Sequence, residues 1–343
     1  MKILKCTRKL LSLVIVFVMI LSLSTASFAL DNSKETLYKQ AKLVANSYMQ
    51  NSGSCKDPIE LYNLNEEVAA LFFASGTSGY VIVKLNDFSV PEYSTESNNT
   101  FITDKNAKYY YNGPLVYLKQ VNNQLLDLPG SKLLGTVQEV KNGMNRQAAA
   151  NGMIIFGSDH KSSDKALRDA RLSQVMSAKA VPLIVGYITG TVPNYSYNPN
   201  GICAATASAM YARYYDIYRD NNYVPVGLET AAGVLLTITL ATYIPVNAIP
   251  FQVVNGLSSY LTSQGVSSGI YAETATSMNI SACIANNEPF VMLINNHPTY
   301  GNHYVTGYGY SFNSSANYAI VNNGWGSTGV YINLNYANTI VHQ

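Results

Sequence analysis

Gly201-Ile202-Cys203-Ala204-Ala205-Thr206-Ala207-Ser208-Ala209-Met210 sets a cysteine at the mouth of an alanine-rich segment. Ala204, Ala205, Ala207, Ala209 and Ala212 are strong helix formers, and Met210, Tyr214 and Ile217 follow at helical spacing, which predicts a helix from Cys203 to about Arg219. A thiol at a helix N-terminus meets the positive end of the macrodipole, and that favours thiolate. Taken alone, such a residue reads as a small buried structural cysteine. Gly201 and the small residues after it weigh the other way, because they let a substrate approach the backbone closely.

Downstream, Asn302-His303-Tyr304-Val305 opens a strand-like run, and Asn322-Asn323-Gly324-Trp325-Gly326 follows it. His303 begins a strand from which it reaches a thiol on another element, as a general acid and base must. His297, in the loop before Pro298, reads as an ordinary surface histidine. Asn323 stands two residues before Trp325, where an amide oxygen accepts from the imidazole and fixes its tautomer while the indole keeps water away. Asn322 is the rival, and Asn-Gly is also a common hairpin turn. A cysteine, a histidine and an asparagine in that order supply nucleophile, base and orienter.

Around these motifs the patterning alternates between helix and strand. Ser33 to Asn51 carries Leu37, Ala41, Val44 and Tyr48 on one helical face. Val68 to Ala74 with Gly79 to Leu85, and Leu115 to Val121 with Gln124 to Leu128, predict two hairpins, the second turning at Asn122-Asn123. Between Gly143 and Ala180 strand character fades. Asn145-Arg146 and Lys161 to Lys165 there look accessible to proteases, and Asp164 to Met176 is a possible helix on the second domain. Beyond Val181 come a short strand (Leu183 to Thr189), the Cys203 helix, an apolar core segment from Val234 to Val246, and helices over Val253 to Gly265 and Ser277 to Asn287. Strands follow over Phe290 to Asn295, His303 to Tyr310, Tyr318 to Asn322 and Gly329 to Leu334. Helices first and strands later is an α+β order.

These residues resemble the bacterial papain-like cysteine peptidases, in particular the streptopain family and the bacteriocin-leader-processing type. Cys203-Ala204-Ala205-Thr206-Ala207-Ser208-Ala209 is similar to streptopain's Cys-x-Ala-Thr-Ala-x-Ala, and Asn302 to Tyr308 and Val321 to Gly326 are similar to its histidine strand and final motif. The likeness covers Val181 to the C-terminus. Gly79-Tyr80-Val81-Ile82-Val83 and Pro91-Glu92-Tyr93-Ser94 further resemble the propeptide of streptopain-like zymogens. The resemblance implies a propeptide-like α+β domain over 30–150 acting as intramolecular inhibitor, with a binding domain retained in the mature protein as the alternative, and a papain-like catalytic domain over 181–343; the N-terminal pattern sets a signal peptide over 1–29 before them, and the composition shift sets a linker or activation segment over 151–180 between them. In the catalytic domain a helical part carries Cys203, and an antiparallel sheet carries His303 and Asn323.

Two departures from the pattern stand out. No Gln lies between Gln174 and Cys203 to serve as oxyanion donor, so Asn198 or Asn200 takes that place beside the Cys203 backbone N–H. Papain's spacing before Trp-Gly selects Asn323, whereas streptopain's selects Asn322. The expected function is a secreted endopeptidase acting on protein or peptide. An inactive binding protein of the same fold and a thioester-forming amide transferase or deamidase are the alternatives.

Composition agrees with export. Lys2, Lys5, Arg8 and Lys9 precede an apolar run from Leu10 to Leu23 that ends in Ser27-Phe28-Ala29, the pattern of a secretory signal. The formal net charge of +2 includes those four cations, leaving a slightly acidic remainder that argues against nucleic acid as a partner. With 12% charged residues and 27 tyrosines, the surface is expected to be rich in Tyr, Asn and Ser. No membrane attachment is expected once the signal is removed. Cys55, Cys203 and Cys283 remain after the signal, an odd number, with pairing of Cys55 and Cys283 left open and the unpaired state preferred. With no C-x-x-C pair and histidines scattered at 160, 297, 303 and 342, no metal site and no cofactor are expected.

Overall fold

Alternating apolar positions along short segments need a partner on each edge, and here they find it in one continuous sheet. The computed structural model describes residues 34–49, 53–151, 165–177, 183–267, 269–297, 301–313 and 316–343. Helix α1 (34–48) precedes β1 (Ile59–Tyr62), β2 (Val68–Ala74), β3 (Tyr80–Lys84), β4 (Glu92–Ser94), β5 (Tyr109–Tyr111), β6 (Tyr117–Val121), β7 (Gln124–Asp127) and β8 (Lys132–Gly135), then α2 (Val137–Asn151) and α3 (Lys165–Met176). The remainder runs β9 (Ile184–Tyr187), α4 (Cys203–Tyr218), α5 (Val234–Leu240), α6 (Pro250–Ser263), β10 (Tyr271–Thr274), α7 (Ser277–Ala285), β11 (Phe290–His297), β12 (Gly301–Phe312), β13 (Asn317–Asn322), β14 (Val330–Asn333) and β15 (Ala337–His342). The chain is a mixed α and β protein, in keeping with the α+β class expected from its order of elements.

The hairpins form as patterned. β2 and β3 pair antiparallel, and β6 joins β7 through Asn122 and Asn123, both with left-handed φ (46° and 65°), as a two-residue hairpin turn requires. The sheet order is β10-β15-β11-β12-β13-β14-β4-β3-β2-β1-β5-β6-β7-β8, with β9 on β12. The joint between its two halves is β14 on β4, antiparallel, with Val330 opposite Ser94, Tyr331 opposite Tyr93 and Ile332 opposite Glu92. One buried cluster spans that joint, taking in Leu61, Ile82 and Tyr117 together with Cys203, Met210, Val305 and Val330. A second, beneath α1, likewise mixes Phe73 and Val81 with Tyr318 and Ile320.

Two readings are corrected. The tyrosines do not chiefly coat the surface: Tyr109, Tyr110, Tyr111, Tyr117, Tyr211, Tyr214, Tyr215, Tyr260, Tyr304 and Tyr318 are fully buried. Burial is tolerable where the hydroxyls find acceptors, as Tyr318 does on the Val90 carbonyl, Tyr260 on that of Tyr223 and Tyr304 on that of Ala248, each at 3.0 Å. Second, α3 is held to the N-terminal half as well: Arg168 donates to the Leu85 carbonyl at 3.2 Å and Arg171 pairs with Asp87 at 3.1 Å, while Val175 packs on the cluster that holds Phe73 and Tyr318. Asn145-Arg146 is an exposed pair within α2. The apolar Val234 to Val246 segment contains α5, with Leu236 and Leu240 in the core. The segment 1–29 read as a signal, His160 and Lys161 to Asp164 lie outside the described residues. Among those described, no helix is long and apolar enough to cross a membrane.

Glu92 sits fully buried on β4, the strand that joins the halves. Its carboxylate accepts from Tyr80 Oη (3.1 Å), from the Leu115 N–H (2.6 Å) and from Tyr117 Oη. Burial nevertheless raises its pKa from 4.5 to about 7, with Tyr117, Leu115, Tyr80 and Tyr111 opposing the rise. Because the folded chain holds this proton more tightly than the unfolded one, the associated stability is complete below pH 4.5 and is lost as pH rises through about 7. The difference amounts to about 3 kcal/mol. Thermal melts of the Cys203→Ala chain should therefore fall between about pH 5 and about pH 8, and Glu92→Gln should flatten that fall. Parallel profiles for the two chains would show that Glu92 carries no such linkage.

Candidate active site

Two successive left-handed residues, Asn200 (φ 54°) and Gly201 (φ 81°), close the 3₁₀ turn Pro199–Gly201 and deliver the chain into α4 at Cys203. Asparagine and glycine are the residues that take this conformation at least cost. Thr206 Oγ1 then donates to the Tyr197 carbonyl at 3.0 Å, tying the approach loop to the first turn of α4. Against that turn lies β12, with Thr306 Oγ1 donating to the Ala207 carbonyl at 3.0 Å. The helix is thus clamped to the strand that bears the histidine.

Cys203 Sγ lies 4.0 Å from the Asn302 carbonyl oxygen and is also met by the Tyr304 backbone N–H. The thiol therefore touches main-chain atoms on both sides of His303. His303 Nε2 is 3.1 Å from the Asn323 main-chain carbonyl oxygen. A carbonyl only accepts, so Nε2 carries the proton and the basic lone pair falls on Nδ1. The Trp325 indole stacks flat on the imidazole, ring centroids 4.1 Å apart and planes within 5°.

The structure corrects the atom by which Asn323 meets the histidine. Its side-chain oxygen is occupied by the backbone N–H groups of Trp325 (2.9 Å) and Ser327 (3.0 Å), so it shapes the turn and lets its own carbonyl hold the ring. Asn322 points elsewhere, donating to the carbonyls of Val192 (3.2 Å) and Pro193 (2.9 Å). Opposite faces of a strand end separate the two amides, as their adjacency requires. Asn198 lies at the same turn: a Cβ on Gly324 would stand 3.5 Å from its Nδ2, and its Oδ1 is buried without a partner among the described residues. Asn200 is exposed.

Burial outweighs the helix dipole here. Cys203 and His303 are 3% and 2% exposed. Burial pushes the thiol up to about 11 against the pull of the Tyr304 and Ala204 N–H groups, and pushes the imidazole down to about 3 against its bond to Asn323. Near neutral pH the pair is thiol and neutral imidazole rather than thiolate and imidazolium. Part of the cover comes from the N-terminal half: Phe101 meets the Trp325 indole edge-on at 6.4 Å, and Ser97 Oγ donates to the Thr328 carbonyl at 2.7 Å. Sequence reading missed Phe101, which carries no motif and is brought in only by the β4–β14 joint.

Cys55, Cys203 and Cys283 are all free and buried. His297's side chain is outside the described ones. Away from Cys203, the sheet and α7 bring Glu273, Cys283 and His342 together, a grouping hidden in sequence by its spread over three elements.

Residues 189–341 match the Peptidase_C39 like family, a span that holds Cys203, His303 and Asn323, and the match supports a cysteine peptidase. No curated protein matches the chain.

The raised thiol predicts slow alkylation. With its pKa at about 11 rather than 9.0, Cys203 in the intact chain should react with iodoacetamide about 100-fold more slowly than a free cysteine at about pH 8. Peptide mass spectrometry reads the rate, and labelling as fast as in denaturant would contradict the buried neutral pair.

Proposed function

We propose that the chain is a secreted cysteine endopeptidase made as a zymogen, in which Cys203 attacks a peptide carbonyl and His303 carries the proton. The observation that carries this reading is the bond from His303 Nε2 to the Asn323 carbonyl under the Trp325 indole, beside a cysteine at the start of a helix. It leaves Nδ1 as the base that takes the Cys203 proton as Sγ bonds the carbonyl carbon. The carbonyl oxygen becomes an oxyanion, held by the Cys203 N–H and the Asn198 amide. His303 returns the proton to the leaving amine, a thioester remains, and water resolves it with His303 as base. The reaction as written draws on thiol, imidazole and amide groups of this chain alone.

The covered, neutral state of the pair supports a resting precursor rather than a working enzyme. In this reading the N-terminal half inhibits by excluding water, since a thiolate and an imidazolium need solvation or each other to form. Cutting in the 151–180 segment would release it. Export follows from the signal-like first 29 residues.

Refolded wild-type and Cys203→Ala precursors, incubated with reductant, should part company: wild type shortens near residues 145–180 and digests added casein, while Cys203→Ala stays full-length and inert. Two precursors that both stay intact, with casein uncut even after limited trypsin treatment, would favour the binding-protein reading. Hydroxylamine-sensitive acyl products without cleavage would favour amide transfer. Asn323→Asp preserves the turn-forming acceptor and should keep kcat/KM within about tenfold of wild type, whereas Asn323→Ala, which frees the loop holding the carbonyl, should lose about 100-fold.

A further inference from the structure

We propose that Glu273, Cys283 and His342 form a binding site for one zinc-like divalent cation, remote in function from Cys203, that ties the C-terminal strand to α7. The three come from β10, α7 and β15, and their ligand atoms all lie within 4.8 Å of one another. Cys283 and His342 are 1% and 4% exposed, so two of the three donors are withdrawn from water. His342 Nε2 lies 2.9 Å from Glu273 Oε1. Among the described residues its Nδ1 is buried without a hydrogen-bond partner, with Glu288 Oε2 standing 3.8 Å away.

An ordinary ion pair does not account for this grouping. A buried thiol has been set beside two carboxylates, Glu273 with its oxygen within 4.8 Å of the sulfur and Glu288 facing the same imidazole. A cation reverses that ordering of charge. Thiolate sulfur, imidazole nitrogen and carboxylate oxygen together suit a borderline-soft ion that takes four ligands tetrahedrally, which is zinc before magnesium or calcium. Zinc bonds of about 2.0–2.3 Å hold tetrahedral donors about 3.5 Å apart, so the 2.9 Å contact of His342 with Glu273 would open slightly, and a separation near the 4.8 Å limit would close by about 1 Å.

Charge balances without further groups. Glu273 and the Cys283 thiolate offset the dication, His342 binds neutral, and the thiol proton passes to solvent. Glu288 already faces Arg219 Nη2 at 3.3 Å, and it stands ready as the fourth ligand or as the acceptor that orients a bound water. The Tyr271 ring lies against His342, centroids 4.4 Å apart, and shields that side. β10 pairs with β15, Tyr271 opposite His342 and Glu273 opposite Ile340, so the ion would pin the edge strand β10 and its neighbour β15 to α7.

Cobalt titration of the full-length Cys203→Ala chain tests the site without self-cleavage or the reactive thiol. After chelation and non-thiol reduction it should take up one equivalent, with thiolate-to-cobalt charge transfer and tetrahedral visible bands that zinc abolishes. Adding Cys283→Ser should remove the charge-transfer band and weaken binding at least ~100-fold, while Cys55 remains in both chains as an internal control. The zinc-dependent rise in thermal midpoint should vanish with it. Failure of the Cys203→Ala chain to bind either ion, or equal binding by the two chains, overturns the proposal. If Cys283→Ser does not fold, Glu273→Gln, altering a partly exposed residue, decides: unchanged affinity overturns the proposal and weakened affinity upholds it.

Discussion

The hydrogen bond from His303 to the Asn323 main-chain carbonyl is the constraint on which the candidate site rests. It sets the tautomer, and the tautomer sets which nitrogen faces the chemistry. A carbonyl, unlike a side-chain amide, has no rotamer of its own, so its aim is only as good as the turn that carries it. Asn323 Oδ1 stiffens that turn by accepting from Trp325 and Ser327. The β12–β13 register, with Thr306 opposite Asn322, then brings strand end and histidine to the same level. Misplacing any of these members would move the imidazole.

A second tension runs through the same few residues. The N-terminus of α4 offers a field that favours thiolate, and main-chain N–H groups add to it, yet removal from water costs the charged form more. Helix ends contribute on the order of 1 kcal/mol, while full desolvation of a charge costs several. On the proposed zymogen reading, latency and competence would thus share one arrangement of Cys203 and His303, differing in what lies above them. Phe101 and Trp325 make the imidazole's cover partly a property of the first half of the chain.

The local signals in the sequence were strong where a single residue type dictates geometry. Asn122-Asn123 announced a turn, alanines after Cys203 announced a helix, and alternation from Phe290 to Leu334 announced strands. The order of Cys203, His303 and Asn323 was legible for the same reason. What escaped was whatever depends on contacts distant in sequence. The amide of Asn323 and its carbonyl are the same letter, and only the fold tells which one meets the imidazole. Tyrosine abundance gave no sign of burial, because the acceptors that make burial tolerable are carbonyls without sequence signature. The joint of β4 with β14 spans more than two hundred residues of sequence.

That joint has a consequence for what would happen were the halves to part. Tyr331 would lose the face of Tyr93, stacked at 4.3 Å, and Asn333 would lose the Pro91 carbonyl that its N–H now meets at 2.9 Å. β14 would be left as a raw edge, its main-chain groups turned outward toward any extended peptide. The segment best shaped to occupy such a rail is the one just departed. On the proposed zymogen reading, cleavage of the connecting chain and loss of the cover are therefore separate events, and a nicked molecule would stay shut for as long as its own former strand remained in place.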